Sequence, residues 1–405
     1  MTSTTHKILN ISVIVAALGY FVDIYDLILF SIVRVPSLTS LGVQENQIRE
    51  IGIQLINIQM IGMLLGGIVF GILGDKKGRM SALFLTILIY SIANIANGFV
   101  QTIDQYYWLR FIAGFGLAGE LGLGITLVSE VMSKEKRGMG AAIVSGVGIA
   151  GAALAFLVSQ WGWREAYWFG GVIGLALLGL RIYLHESGMY QNIKTQTVKR
   201  GDFLGIFKAK KSFVKFVLCI CVGLPVWFVI GILITFSKEF GEYLSISEPI
   251  NPGKSVMFHY IGASIGSLLT GLLSQWLHSR KKALNIALIA LLTFCIGYFS
   301  CFNVSADVFY FVVFVLGISM GYWAIFITVA SEQFGTNIRS TVTTTVPNFV
   351  RGSTVIMTLC WNAMAVSLGI WSSAIIVGSV VILLALISTY LMEETFGKDL
   401  DYVEQ

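Results

Sequence analysis

The sequence is short of charge. Only 12% of its 405 residues are Asp, Glu, Lys or Arg, where a soluble domain carries roughly 25%. So few charges cannot keep a globule of this size wet on its outside. A disordered chain is excluded too, because disorder needs low hydrophobicity and high charge. Proline is scarce, at 5, as are cysteine, at 5, and histidine, at 4. Cys219, Cys221, Cys295, Cys301 and Cys360 all stand in apolar stretches without a CxxC pair, and the histidines lack ligand spacing. No disulfide framework, metal site or cofactor is expected. No nucleophile–base set and no HExxH is present, so the chain is not expected to be an enzyme. Pro252-Gly-Lys-Ser255 ends like a phosphate-binding loop, but Glu248 stands where the earlier glycine would be and no strand precedes it, so no ATPase is implied.

What is abundant is apolar. Hydrophobic residues make up 56% and glycine numbers 43; mean hydropathy is +0.80. Glycine lets membrane helices approach closely. A helix needs roughly 20 apolar residues to cross a bilayer. The pattern predicts twelve spans, at about 9–32, 51–73, 81–100, 106–129, 139–160, 166–184, 212–236, 256–277, 283–302, 308–330, 341–366 and 368–392. The first apolar run is too long, and too polar at its centre, for a cleaved signal peptide. The expected fold is an all-α integral membrane protein, a monomer in the lipid bilayer. It divides into a six-helix bundle (1–185), a polar linker (186–211), a second six-helix bundle (212–392) and a tail (393–405).

Basic residues give an orientation. With the N-terminus in the cytoplasm, 20 of the 27 Lys and Arg fall inside, 5 fall outside (Arg34, Arg49, Arg164, Lys238, Lys254), and Arg110 and Arg351 lie within spans. This bias predicts cytoplasmic termini and accounts for the net +5 without a nucleic-acid partner. The halves also repeat. Gly71-Ile-Leu-Gly-Asp75 is echoed by Gly271-Leu-Leu-Ser-Gln275, 200 residues later. Ser129-Glu130 with Arg137 is echoed by Ser331-Glu332 with Arg339. A duplicated six-helix unit related by a pseudo-two-fold axis puts the binding site near the midplane, between the halves.

Several stretches carry a resemblance. Gly71–Met80 (GILGDKKGRM) resembles the signature loop of the major facilitator superfamily. Arg110–Glu120 (RFIAGFGLAGE), Ser129–Gly138 (SEVMSKEKRG) and the tail Glu393–Glu404 (EETFGKDLDYVE) are also of its type. The likeness runs along essentially the whole chain. Asp23-Ile-Tyr25-Asp26 is similar to the first-helix element of aromatic-acid/proton symporters. Arg351-Gly352, twelve residues beyond Arg339, resembles those symporters, the niacin-type transporters and the organic-anion carriers, and Gly119–Glu130 resembles the niacin-type carriers. The sequence departs from the pattern at Ile24 (glycine in the element), Gly122 (proline in many relatives) and Gln275 (an acid in the second half). The resemblance implies a twelve-helix carrier working by alternating access in a bacterial inner membrane.

Ionisable residues within spans cost about 2.5–3.5 kcal/mol each and are functional candidates by default. They are Asp23, Asp26, Arg110, Glu120 and Arg351. Asp23 and Asp26, three apart, share a helix face. Two carboxylates in a low-dielectric site do not both ionise easily, so one can hold a proton near neutral pH; either they couple transport to protons or they pair with Arg110 and hold helices together. In related proton-coupled sugar carriers the corresponding acid and arginine pair, and the resemblance implies the same for Asp26 and Arg110. Arg351, near the midplane with no acid beside it in its own half, is either a carboxylate recogniser or a structural tie. Its partner is then an acid of the first half or an anionic substrate. Glu120, among Gly114, Gly116, Gly119, Gly122 and Gly124, is a second proton site or a structural acceptor. Tyr25, Gln59, Trp227, Trp323 and Asn348 are candidate cavity residues, with Pro225 expected to break the seventh helix. His259 reads as an interfacial polar residue. Asp75, Arg79, Glu130 with Arg137, and Glu332 with Arg339 are candidate latches at cytoplasmic helix ends, or else serve topology alone. The favoured reading is proton-coupled uptake of a small organic anion, a monocarboxylate or aromatic acid. Phosphate, sugar and amino-acid symport on the same fold, and a membrane sensor or enzyme, are the alternatives.

Overall fold

The computed structural model describes residues 11–132, 137–180, 200–399 and 402–403. Among these the chain is all helical. Nine helical runs are each long and apolar enough for one span: α1 (Ile11–Ser40), α2 (Glu45–Lys77), α3 (Arg79–Asn97), α4 (Ile103–Val131), α5 (Gly140–Ser159), α7 (Lys210–Ile234), α8 (Pro252–Trp276), α9 (Arg280–Phe299) and α10 (Ala306–Gln333). A 53-residue run, Arg339–Leu391, is two spans joined at Gly369, whose φ of +78° ends α11 (339–368) and starts α12 (370–391). The twelfth is α6 (Trp163–Leu180), whose described part opens on the charged Trp163-Arg-Glu165. The twelve-helix architecture in two halves is thus present, with most ends within about four residues of those expected; α1 runs eight residues further, to Ser40, and α2 starts six residues earlier, at Glu45. Of the expected linker, 186–199 lies outside the described residues; Phe203–Lys208 is a short helix and α7 starts at Lys210.

The pseudo-two-fold relation is visible in the packing. Between the halves, α2 packs along α11 and α5 along α8, the two contacts that such an axis would exchange. α4 is interrupted at Ala118–Gly119 and α10 at Met320–Tyr322, so corresponding helices break at corresponding depths. Arg79 pairs with Glu130 at 2.8 Å, and its counterpart Arg280 pairs with Glu332 at 3.1 Å.

Local chemistry explains the breaks. Pro225 has no N–H to continue the helix ladder, and α7 widens into a π-helix at Val229–Ile234 just beyond it. Such irregular backbone is tolerated at membrane depth only where protein or a cavity surrounds it. The Pro252–Ser255 stretch that mimics a phosphate loop is a helix start: Asn251 caps it by accepting from the Lys254 N–H at 3.2 Å, and Pro252 takes the first helical position. Gly122 lies against the Thr344 backbone, an approach between α4 and α11 that any side chain would block.

Candidate functional site

A small cavity lies between the halves, with about 30 Å³ of water-accessible space. A water needs roughly 10–15 Å³ of such space, so a substrate fits here only once the walls move apart. Its walls come from α1 (Tyr20, Ile24), α7 (Trp227, Ile230), α8 (His259, Tyr260), α10 (Trp323) and α11 (Arg351). Three of the expected cavity residues, Trp227, Trp323 and Arg351, therefore meet there. Arg351 is 1% exposed and reaches Asp23 of the first half at 4.0 Å. Its guanidinium also lies 6.0 Å from the Trp323 ring, and the Trp323 indole donates to the Tyr20 hydroxyl at 3.2 Å.

The other expected cavity residues stand behind the wall. Asn348 accepts from Arg351 at 3.2 Å and donates to the Ala118 and Thr344 carbonyls, each at 2.7 Å, which orients the guanidinium from below. Tyr25 faces away and donates to the Ala166 carbonyl at 2.8 Å. Gln59 bonds to Arg110. His259 is not interfacial: it is fully buried and lines the cavity. An isolated histidine near a predicted helix end could not be told from a headgroup-level one without knowing what packs over it.

Asp26 and Arg110 are not paired. Arg110 donates to Gln59 and, at 3.4 Å, to the Tyr167 hydroxyl. Its guanidinium also rests 5.3 Å from the Phe30 ring. Depth matching along two helices placed the residues at one level, but a glutamine on α2 intercepts the arginine. Asp26 is fully buried, with Gly170 against its carboxylate and Asp23, Arg110 and Asn94 as its polar surroundings. Glu120 is 2% exposed in the first turn after the α4 break, ten residues and so about 15 Å from Arg110 along the helix.

Both ends of the inter-half interface are bridged. At the lysine-rich end, Asp75 accepts from the Ser340 N–H (3.2 Å), the Thr341 N–H (2.8 Å) and the Thr341 hydroxyl (2.6 Å). The carboxylate thus caps the start of α11, where orphan N–H groups and the helix dipole favour negative charge. Arg79 and, at 3.6 Å, Arg339 converge on Glu130, and Arg79 reaches the Thr336 carbonyl at 3.4 Å. The expected Glu332–Arg339 pair is replaced: Glu332 is held by Arg280 and accepts from Thr395 at 2.8 Å, while Arg339 crosses to the other half. The Arg137 side chain lies outside what the structure describes.

The opposite end has a latch that sequence reasoning missed. Arg34, fully buried at the end of α1, donates to Glu239 at 2.9 and 3.2 Å and to the Thr235 carbonyl at 3.4 Å, and lies 4.6 Å from the Phe236 ring. Thr235 donates to Ser31 at 3.2 Å and Arg49 to Asn362 at 3.2 Å. The charge count treated Arg34 as a loop cation. The signal against that was its position directly after seven residues with no charge, Leu27–Val33.

Residues 16–351 match the Major Facilitator Superfamily. The chain belongs to that family. Among curated relatives it is 37% identical over 123 residues to a niacin transporter, NiaP, of Acinetobacter baylyi, covering 29% of this chain and 28% of that one. It is 25% identical over 281 residues to the sialic acid transporter NanX of Escherichia coli (65% and 68%). It is 23% identical over 376 residues to a benzoate transport protein of Acinetobacter baylyi (81% and 78%). The chain spans about half the length of several other curated relatives it matches. In fold it is similar to the proton:xylose symporter XylE, with a TM-score of 0.72 at 17% identity, covering 96% of this chain and 97% of that one.

Proposed function

We propose that this superfamily member is a secondary transporter that takes up a small organic anion, a monocarboxylate or aromatic acid, together with a proton. The observation that carries the reading is the buried Arg351, facing an aromatic-walled cavity between the halves with Asp23 at 4.0 Å. Arginine presents a planar fork that suits a carboxylate, and the Trp227 and Trp323 rings suit a planar substrate body.

Charge balance supplies the coupling. Asp23, Asp26, Arg110 and Arg351 sum to zero when all are charged. A substrate carboxylate would add one negative charge to a low-dielectric site, which is costly. A proton on an aspartate restores neutrality. If it sits on Asp23, it also weakens that residue's hold on Arg351 and leaves the guanidinium to the substrate. One proton then accompanies one carboxylate, and the empty carrier returns neutral. The lysine-rich end, the linker and the termini are read as cytoplasmic from the basic-residue bias.

The test is ligand-induced thermal stabilisation of the purified chain with carboxylic acids, their methyl esters, sugars, phosphate and amino acids. Acids are expected to stabilise and their esters not. Arg351→Ala should weaken acid binding by about 2–5 kcal/mol, the loss seen when one side of a buried charge pair is truncated. Arg351→Lys should restore little of it, because a point charge cannot make the two-pronged contact. Stabilisation by sugars alone, or unchanged acid binding in Arg351→Ala, overturns the anion reading.

A further inference from the structure

Away from the central cavity, a second hollow of about 450 Å³ opens at the lysine-rich end, on the outer surface where α7, α10 and α12 meet. Lys210, Lys211 and Lys215, from the first turns of α7, and Gln333, the last residue of α10, line it. Among the described residues Glu393, just past α12, is the single acid in its wall, and this described lining carries a net charge of +2. Gln333 is 1% exposed, and its amide nitrogen has no hydrogen-bond partner among the described residues. Ala209 gives α7 no side-chain cap, and the first N–H groups of a helix have no partner within it. The rest of the wall is apolar, from Val214 and Leu218 to Leu391 and Met392, and Val214 and Leu391 are 44% and 60% exposed on the face that meets lipid.

We propose that this hollow is a binding site for the headgroup of an anionic phospholipid. The three ammonium groups, the uncapped start of α7 and the spare Gln333 donor all suit a phosphate. The apolar flank continues from them along α7 and α12, where acyl chains would lie. A positive-inside bias explains lysines at this level in general. It does not explain why they gather over one hollow with a buried donor in its wall. Basic pockets at this depth are where lipid headgroups are recognised. A soluble anion would use the phosphate-binding half of the site and gain nothing from the apolar half.

The experiment is native mass spectrometry of the purified full chain released from micelles containing equal amounts of phosphatidylglycerol and phosphatidylcholine. The wild type should retain phosphatidylglycerol about tenfold or more in preference. Lys210→Gln/Lys211→Gln/Lys215→Gln should lose that preference, Gln333→Leu should reduce it, and the triple Lys→Arg variant should keep it. A thermal unfolding midpoint near wild type confirms that each variant is folded. Where the triple Gln variant does not fold, Lys215→Gln alone is scored and should lower the preference. Undiminished preference in the folded Gln variants overturns the proposal. So does complete displacement of the lipid by millimolar inorganic phosphate, which would mark a soluble-anion site.

Discussion

Replacing Asp75 by asparagine isolates the latch at the lysine-rich end. The carboxylate accepts three hydrogen bonds from the start of α11, at 3.2, 2.8 and 2.6 Å. Asparagine keeps one acceptor oxygen. Its NH2 group turns toward backbone N–H groups that can only donate, and the charge that complements the α11 dipole is gone. With hydrogen bonds to charged groups worth about 1.5–3 kcal/mol each, the closed arrangement loses about 2–3 kcal/mol relative to one in which this end has parted. That shifts the closed-to-open ratio by roughly 30- to 150-fold. The assay is a spin-label distance measurement in lipid nanodiscs between cysteines at Lys77 and His278, one exposed residue from each half at this end, in a Cys360→Ser background. Asp75→Asn should move most of the population to longer distances and slow transport. Substrate affinity should change little, because Arg351 lies twelve residues, about 18 Å, along α11 from Arg339. An unchanged distance distribution with normal transport would falsify the latch and leave the lysine-rich loop with a topological role alone.

The same logic run at the other end predicts the opposite displacement. Arg34→Gln, or Glu239→Gln, should open the end away from the lysines by about 3 kcal/mol, the low end for breaking a buried pair because Glu239 keeps 19% exposure; alkylation of a cysteine placed at Asn57 should rise, and opening at the Lys77 end instead would contradict it. Asp26→Asn should abolish accumulation driven by a pH gradient in proteoliposomes and leave substrate exchange intact. Loss of both would make Asp26 structural.

Much of the fold was legible because its signals are long and redundant. Twelve apolar runs, a basic bias and a repeat at about 200 residues each bear on the same architecture, and an error in one is caught by the others. The site was legible only as an inventory. Asp23 and Arg351 stood out because a charge within a span is rare, yet nothing in a one-dimensional pattern says which acid meets which arginine. Asp26 and Arg110 share a depth, but rotation about the helix axis decides contact, and Gln59 on a third helix intervenes. The latches divide in the same way. Asp75 could be singled out because it sits in a motif. The Arg34–Glu239 pair sits in none, and it joins residues about 200 positions apart. Glu332 was assigned the nearer arginine in sequence, whereas the duplication itself pairs it with Arg280, as Glu130 pairs with Arg79.

The placement of charge along two helices bears on how substrate and gates communicate. α1 carries Asp23 at the cavity and Arg34 eleven residues further, about 16 Å along the same helix. α11 carries Arg351 at the cavity and, at its start, the backbone that Asp75 caps. Each half therefore contributes one helix bearing both a site charge and a gate contact, and the two helices run their gates to opposite ends. On the proposed function, a substrate carboxylate that drew Arg351 away from Asp23 would act on both helices at once. Rigid helices do not absorb such a displacement locally. They transmit it as a tilt, which strains the Arg34 contact at one end and the Asp75 contact at the other. Because the two contacts lie on opposite sides of the pivot, relief of one tightens the other. The asymmetry between them sets the resting preference. The lysine-rich end has the carboxylate cap plus the Arg79–Glu130–Arg339 cluster, all nearly fully buried. The opposite end has the Arg34–Glu239 pair, with a partly exposed acid, and the solvent-exposed Lys238–Glu45 pair at 3.5 Å, which contributes little. The opposite end is therefore the one expected to open first when no substrate is bound.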